Sequence, residues 1–128
     1  MIKFPLLTIL LFVFGSAFAQ TQTEKEVKDL ICGKWQLTHM EMGGQKVPVP
    51  PEFAETYLEM KADGTLIEID PSKEQKGKWS YDHKTKTLIT NDEDGEKKHE
   101  LIKISDTELI IKSDLDGMMV NLIMKKAK

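Results

Sequence analysis

The chain contains no arginine, and all 18 of its basic residues are lysines. Arginine carries the planar fork that is best suited to bidentate binding of phosphate or carboxylate, so anion recognition would have to use lysine or backbone NH groups. The formal net charge is -3, and no long basic cluster occurs along the sequence. This charge pattern argues against nucleic acid as a partner.

The chain has a single cysteine and none of the recognised catalytic motifs. Cys32 is the only cysteine, so the chain cannot form an internal disulfide and its stability has to come from a hydrophobic core. The sequence has no Gly-x-Ser-x-Gly, no His-Glu-x-x-His and no glycine-rich phosphate loop. We therefore expect no catalytic residue, no cofactor and no enzymatic activity.

The one long apolar run lies at the start of the chain. Lys3, the apolar residues 4–14 and the small-residue site at 17–19 form the three parts of a secretory signal. The run is shorter than the ~20 residues of a membrane-spanning helix, and Gln20 stands where a lipoprotein would need cysteine. We expect a signal peptide over 1–19 and one domain over 20–128, exported to the periplasm or beyond the cell, with no membrane span once the signal is removed.

A short helix is predicted before the first strand. Thr23 and Glu26 have the spacing of a capping box, and Val27, Leu30 and Ile31 recur at helical spacing. Gly33 then ends the helix.

The remainder of the chain consists of about eight short runs of strand-forming residues separated by turns. The strongest turn signal is Asp63-Gly64, between the runs 56–61 and 65–69. This pattern predicts an all-β fold, an eight-stranded antiparallel up-and-down β-barrel, since eight strands suffice to close a sheet on itself. A two-sheet sandwich is the alternative. The proline-rich segment 47–51 is expected to be a loop or to cover an edge.

One tripeptide occurs twice, as Gly33-Lys34-Trp35 and as Gly77-Lys78-Trp79, and each copy opens a predicted strand. We expect Trp35 and Trp79 to act as structural plugs of the barrel.

These short motifs resemble the lipocalins, and more closely the small lipocalin-like domains exported by bacteria of the Bacteroidota type. The segments that carry the resemblance are 30–35, 63–65, 77–81 and 108–110. In lipocalins the first-strand tryptophan closes the base of the barrel beneath an arginine, and Trp35 matches that tryptophan. Without arginine, the resemblance leaves Lys112, Lys125 or Lys126 to place a cation over the ring.

The alternation of side chains along each strand gives a candidate interior. The predicted inward-facing, ligand-binding residues are Leu37, His39, Leu58, Met60, Ile67, Tyr81, Leu109, Val120 and Leu122. A slip of one residue in register would reverse the faces of a strand. The leading hypothesis is a non-enzymatic protein that binds a small apolar or amphipathic ligand inside the barrel.

A rival hypothesis is a packed barrel that acts as a protein-interaction or inhibitor module of the cell envelope. Its contact surface would be the segment 47–53, with Phe53 and Tyr57 as exposed aromatic anchors. The sequence alone does not decide between these two functions, because a barrel fold hosts many activities.

Two further patterns suggest metal binding, and each has a simpler explanation. His39 and His83 each follow a repeated tryptophan by four residues, but two histidines without a third ligand make a poor zinc site. The acidic segments 92–96 and 114–117 lack the full spacing of a calcium loop and have the composition of hairpin turns. We therefore expect no metal site.

Overall fold

The computed structural model describes residues 22–127. The predicted signal peptide over 1–19 lies outside the described residues. The first element is helix α1, Glu24–Ile31, which is capped at Thr23 by the predicted reciprocal hydrogen bonds with Glu26.

Nine antiparallel strands follow the helix. They are β1 (Gly33–Met42), β2 (Gln45–Pro48), β3 (Tyr57–Met60), β4 (Thr65–Ile69), β5 (Glu74–Asp82), β6 (Thr87–Asp92), β7 (Gly95–Ile104), β8 (Glu108–Leu115) and β9 (Met118–Lys126), with a 3₁₀ turn at Pro51–Phe53 between β2 and β3.

Eight of these strands form a closed barrel. From β3 onward each strand pairs with the next in sequence, and β1 pairs with both β3 and β9. The remaining strand, β2, pairs only with the second half of β1. The predicted eight-stranded up-and-down barrel with an N-terminal helix is therefore confirmed. The proline-rich segment adds a short hairpin at one end. After Pro48 the NH of Val49 still donates to the carbonyl oxygen of Thr38 at 3.1 Å, and Pro50 and Pro51, which have no NH to donate, follow.

One end of the barrel is closed by the helix and by Trp35. Trp35 has no exposed surface, and its indole NH donates to the carbonyl oxygen of Ile31 at 2.8 Å. The ammonium of Lys126 lies 4.4 Å from the centre of the Trp35 ring and donates to the carbonyl oxygen of Cys32 at 2.9 Å. Of the three lysines considered from the sequence, Lys126 is the one that supplies the cation.

The second tryptophan, Trp79 on β5, is bound to the turn between β3 and β4. The indole NH of Trp79 donates to the carbonyl oxygen of Lys61 at 2.8 Å, in the turn between β3 and β4. Val27 and Ile31 of the helix join Trp35 and Trp79 in one hydrophobic cluster. Both tryptophans therefore belong to the core at the helix end.

Gly77, the glycine of the second tripeptide, allows β5 and β6 to approach closely. A Cβ at position 77 would collide with the backbone carbonyl oxygen of Asn91 on β6 and would lie 3.2 Å from the Cβ of Asp92. The obstacle is backbone, so it cannot rotate away as the end of a flexible side chain can. Position 77 therefore has no room for a side chain.

We predict that Gly77→Ala destabilises the barrel, because the added methyl group has to displace the β6 backbone. The loss in the free energy of unfolding should be about 1–3 kcal/mol, the usual cost of overpacking. Urea denaturation measures it. Lys78→Ala, at the exposed neighbouring position, is the control and should change stability by less than about 0.5 kcal/mol. Equal stability of the two variants would contradict this role for Gly77.

Candidate functional site

The barrel contains a cavity of about 510 Å³ at the end opposite helix α1. Its position follows from the strand directions. Trp35 pairs with Lys126 at the closed end, whereas Glu41 pairs with Asn121 towards the other end. Residues 114–116, at the tip of the β8–β9 hairpin, form part of the cavity mouth. The barrel is therefore plugged at one end and open at the other.

The floor and walls of the cavity are mostly aliphatic. Seven apolar side chains line them: Leu37, Leu58, Leu66, Leu88, Ile111, Leu122 and Met124. They come from β1, β3, β4, β6, β8 and β9, so nearly the whole circumference contributes. Such a surface can hold a hydrocarbon chain or a ring, because burial of apolar area from water is favourable.

A chain of hydrogen bonds crosses one wall above this apolar surface. His99 on β7 lies between two hydroxyl groups that also line the cavity. Its Nε2 is 3.0 Å from Oγ1 of Thr90 on β6, and its Nδ1 is 2.6 Å from Oγ of Ser113 on β8. Thr90 and Ser113 are only 8% and 3% exposed. Buried polar groups of this kind hold a fixed geometry, since each has a partner.

The imidazole of His99 is held neutral. Burial lowers its pKa below the ordinary value of 6.5, and the positive charge of Lys97 lowers it further. A neutral imidazole has one donor nitrogen and one acceptor nitrogen. The adjacent hydroxyl groups can each donate or accept, so this wall offers both kinds of hydrogen bond to a ligand.

Two carboxyl groups, Glu68 on β4 and Asp92 on β6, lie together at the cavity mouth. On β5, which lies between their strands, Gln75 pairs with Glu68, and Gly77 lies beside Asp92. Burial raises the pKa of Glu68 to about 7, and a hydrogen bond and charge repulsion from Asp92 add to the shift. The hydrogen bond from Glu68 lowers the pKa of Asp92. Near neutral pH Glu68 is therefore the member of the pair that gains or loses a proton, while Asp92 stays ionised.

The nine predicted interior residues fall into four groups. Leu37, Leu58 and Leu122 line the cavity. Met60, Tyr81 and Leu109 belong to the buried cluster around Trp35, at the closed end. Val120 is 2% exposed and pairs with the cavity residue Ser113, so it shares the inner face.

The other two predicted residues, His39 and Ile67, lie on the outer face. A β-bulge shifts the register of β1 after Leu37, so His39 pairs with the outward-facing Ile123, and Met40 takes the inward position opposite Leu122. The inward orientation predicted for His39 is therefore wrong.

The orientation predicted for Ile67 is wrong because of the β3–β4 turn. Lys61 NH donates to the carbonyl oxygen of Thr65, which sets Met60 opposite Leu66 and places Leu66 and Glu68 inside. Ile67 points the other way and pairs with Glu59 and Lys76 on the outer face, although it is only 8% exposed.

The residues considered for metal binding have local structural partners instead. His39 contacts Thr38 Oγ1, and His83 lies 3.3 Å from the Tyr81 hydroxyl. Asp92 accepts a hydrogen bond from the NH of Asp94, and Asp114 accepts one from the NH of Gly117, as expected for turns. Within 22–127, no group of three or more His, Cys, Asp or Glu side chains is arranged to hold a metal ion.

Of the two aromatic anchors in the rival hypothesis, one is exposed. Phe53 is 45% exposed. Tyr57 is only partly exposed, and the ammonium of Lys34 lies 4.7 Å from the centre of its ring.

The fold and the plugged base define a small lipocalin-like barrel. A family model described as a lipocalin-like domain matches residues 31–111, and the chain belongs to this family. The resemblance inferred from the short motifs is therefore confirmed. No curated protein matches the chain.

Solved structures from Bacteroides species share the fold. A lipocalin-like protein from Bacteroides uniformis aligns with a TM-score of 0.58 at 16% identity, covering 76% of this chain and 98% of that one. An uncharacterized protein from Bacteroides eggerthii aligns with a TM-score of 0.55 at 12% identity, covering 75% and 98%. No helix among residues 22–127 has the length and apolar character needed to cross a membrane.

We predict that Glu68 titrates near neutral pH, and that its titration makes stability depend on pH. Because the pKa rises from 4.5 in the unfolded chain to about 7 in the folded protein, the contribution of Glu68 to the free energy of unfolding is complete below about pH 4.5 and is lost as pH rises through about 7. Carboxyl ¹³C NMR measures the titration directly. Relative to Glu68→Gln, the wild type should lose stability between about pH 5 and about pH 8. A Glu68 resonance that titrates near 4.5 would contradict the carboxyl pair.

Proposed function

We propose that this protein is an exported, non-enzymatic carrier that binds one small apolar or amphipathic molecule in the open end of its barrel. The observation that carries the proposal is the cavity of about 510 Å³ with its aliphatic floor and one polar wall. A few convergent polar groups above an apolar surface are typical of small-molecule sites. The closed end supports the proposal, since the Trp35 plug confines a ligand to a single entrance.

The same cavity argues against the rival model of a packed barrel. A barrel filled by its own side chains would have no room of this size. The segment 47–53 exposes Val47 and Phe53, but Tyr57 lies partly covered beside it. The ligand-carrier model therefore accounts for more of the structure than the interaction-module model does.

The contact between Ser113 and His99 does not favour nucleophilic catalysis. A serine triad needs a carboxylate to orient the imidazole and to stabilise its protonated form. In this wall the other ring nitrogen contacts the hydroxyl of Thr90, and burial disfavours the protonated ring. The arrangement suits hydrogen bonding to a bound molecule better than proton transfer.

We predict that filling the cavity weakens binding. Leu37→Trp adds a large ring to the floor, and it should weaken the binding of 1-decanol, an apolar chain with one hydroxyl group, by at least about tenfold. Isothermal titration calorimetry measures the affinity. The matched control is Ile102→Trp, since Ile102 is 44% exposed and does not line the cavity.

Circular dichroism and thermal unfolding establish that both variants fold. Unchanged decanol affinity in a folded Leu37→Trp protein would contradict a cavity site. A loss of affinity in the Ile102→Trp control would indicate that decanol binds to the outer surface instead.

The proposed export has its own test. The three-part pattern at the start of the chain supports removal of residues 1–19. Protein recovered from the periplasm or the medium of an expressing cell should begin at Gln20, as read by intact mass or terminal sequencing. A full-length product confined to the cytoplasm would contradict the proposal.

A further inference from the structure

The mouth of the cavity has an excess of negative charge. Four carboxyl groups line it, from Glu68, Asp92, Asp114 and Asp116, against two ammonium groups, from Lys97 and Lys98. Both lysines are exposed, so their charges are hydrated. In the described part of the chain, the ion pairs within 4.0 Å include none that joins a lysine to Glu68 or Asp92.

Glu68 and Asp92 therefore form no direct ion pair with a lysine, although the charges of Lys97 and Lys73 act on them from farther away. Glu68 is half-buried, and burial of a charge without a partner is costly. When Glu68 holds a proton, the pair carries one negative charge instead of two, and the cost is smaller. The uncharged ring of His99, next along the wall, adds no positive charge. A cation bound between Glu68 and Asp92 would supply the missing partner.

We propose that the ligand of this cavity carries a protonated amine, which Glu68 and Asp92 bind at the mouth while its apolar body lies on the aliphatic floor. This inference rests on the proposed carrier function and specifies its ligand class. An alkylammonium group has three donors and no acceptor, and the two carboxylates and the Thr90 hydroxyl can accept from it. A fatty-acid carboxylate would instead meet charge of its own sign.

Amine binding displaces the proton of Glu68, so it is linked to pH. The charged groups around the pair are Asp94 in the turn after β6, Lys97 on β7 and Lys73 in the β4–β5 turn. An aliphatic amine, like a lysine side chain, stays protonated well above neutral pH. Near neutral pH, amine binding should therefore release the proton of Glu68.

Three probes with the same ten-carbon chain separate the contributions of the head group and the tail: decylamine, 1-decanol and decanoate. By calorimetry at about pH 8, decylamine should bind at least about tenfold more tightly than decanol, and decanoate most weakly. The affinity for decylamine should fall about tenfold between about pH 8 and about pH 6, as Glu68 regains its proton. Repeating the titration in buffers of different ionisation enthalpy should show proton release for the amine near pH 7 and none for the alcohol.

Glu68→Gln mimics the protonated carboxyl at every pH, because its amide donates to Asp92. The ratio of amine to alcohol affinity should drop by about tenfold in this variant and should no longer depend on pH. The control is Glu100→Gln, since Glu100 is exposed on β7 and does not line the cavity. It should keep the wild-type ratio.

The outcomes separate this inference from the proposed function. Decanol binding without a preference for decylamine, or tighter binding of decanoate, would overturn the amine inference and leave the carrier function in place. An affinity ratio that is unchanged by Glu68→Gln would overturn the role of the carboxyl pair. Failure of all three probes to bind would overturn the carrier function and the amine inference with it.

Discussion

The pairing of β1 with β9 closes the barrel, and the rest of the structure depends on it. Trp35 on β1 faces Lys126 on β9, so the same pairing that joins the sheet edges brings the ammonium of Lys126 over the indole ring. The backbone NH of Ala127 then donates to the carbonyl oxygen of Lys34 at 2.8 Å and secures the last strand. Closure pairs the two edges of the eight-stranded sheet with each other and gives the barrel an inside, and β2, outside that ring, keeps one unpaired edge.

The plug and the cavity are two consequences of this geometry. Bulky side chains fill the closed end, where the helix supplies Val27 and Ile31. Towards the open end, the inward positions pass from leucine to threonine, histidine, serine and finally to carboxylates. The interior is thus graded from apolar to acidic along its axis. An amphipathic molecule with a cationic head matches this gradient.

Much of the fold could be predicted from the sequence because its signals are local. The capping residues of the helix, the Asp63-Gly64 turn and the two tryptophan repeats each act within a few residues. The orientation of His39 could not be predicted in this way, because the bulge after Leu37 is apparent only once β9 is paired with β1. The orientation of Ile67 depended on the register of one turn, and β4 has apolar residues on both faces.

The polar residues of the site were missed for a different reason. Thr90, His99 and Ser113 each stand two residues from an inward apolar residue, respectively Leu88, Leu101 and Ile111. Continuing the alternation past the apolar positions would have placed all three inside. Glu68, two residues after Leu66, follows the same rule. A search for recognised motifs could not find them, because strand pairing brings them together from four different strands.

In the proposed function, the open end of the barrel holds a small molecule. Native mass spectrometry of the protein purified from its own cells, compared with the same sample after denaturation, tests it most directly. We expect a complex heavier than the bare chain by the mass of one small amine-bearing molecule, which is released on unfolding. A bare protein mass in both states, with no uptake from a mixture of cellular lipids and metabolites, would contradict it.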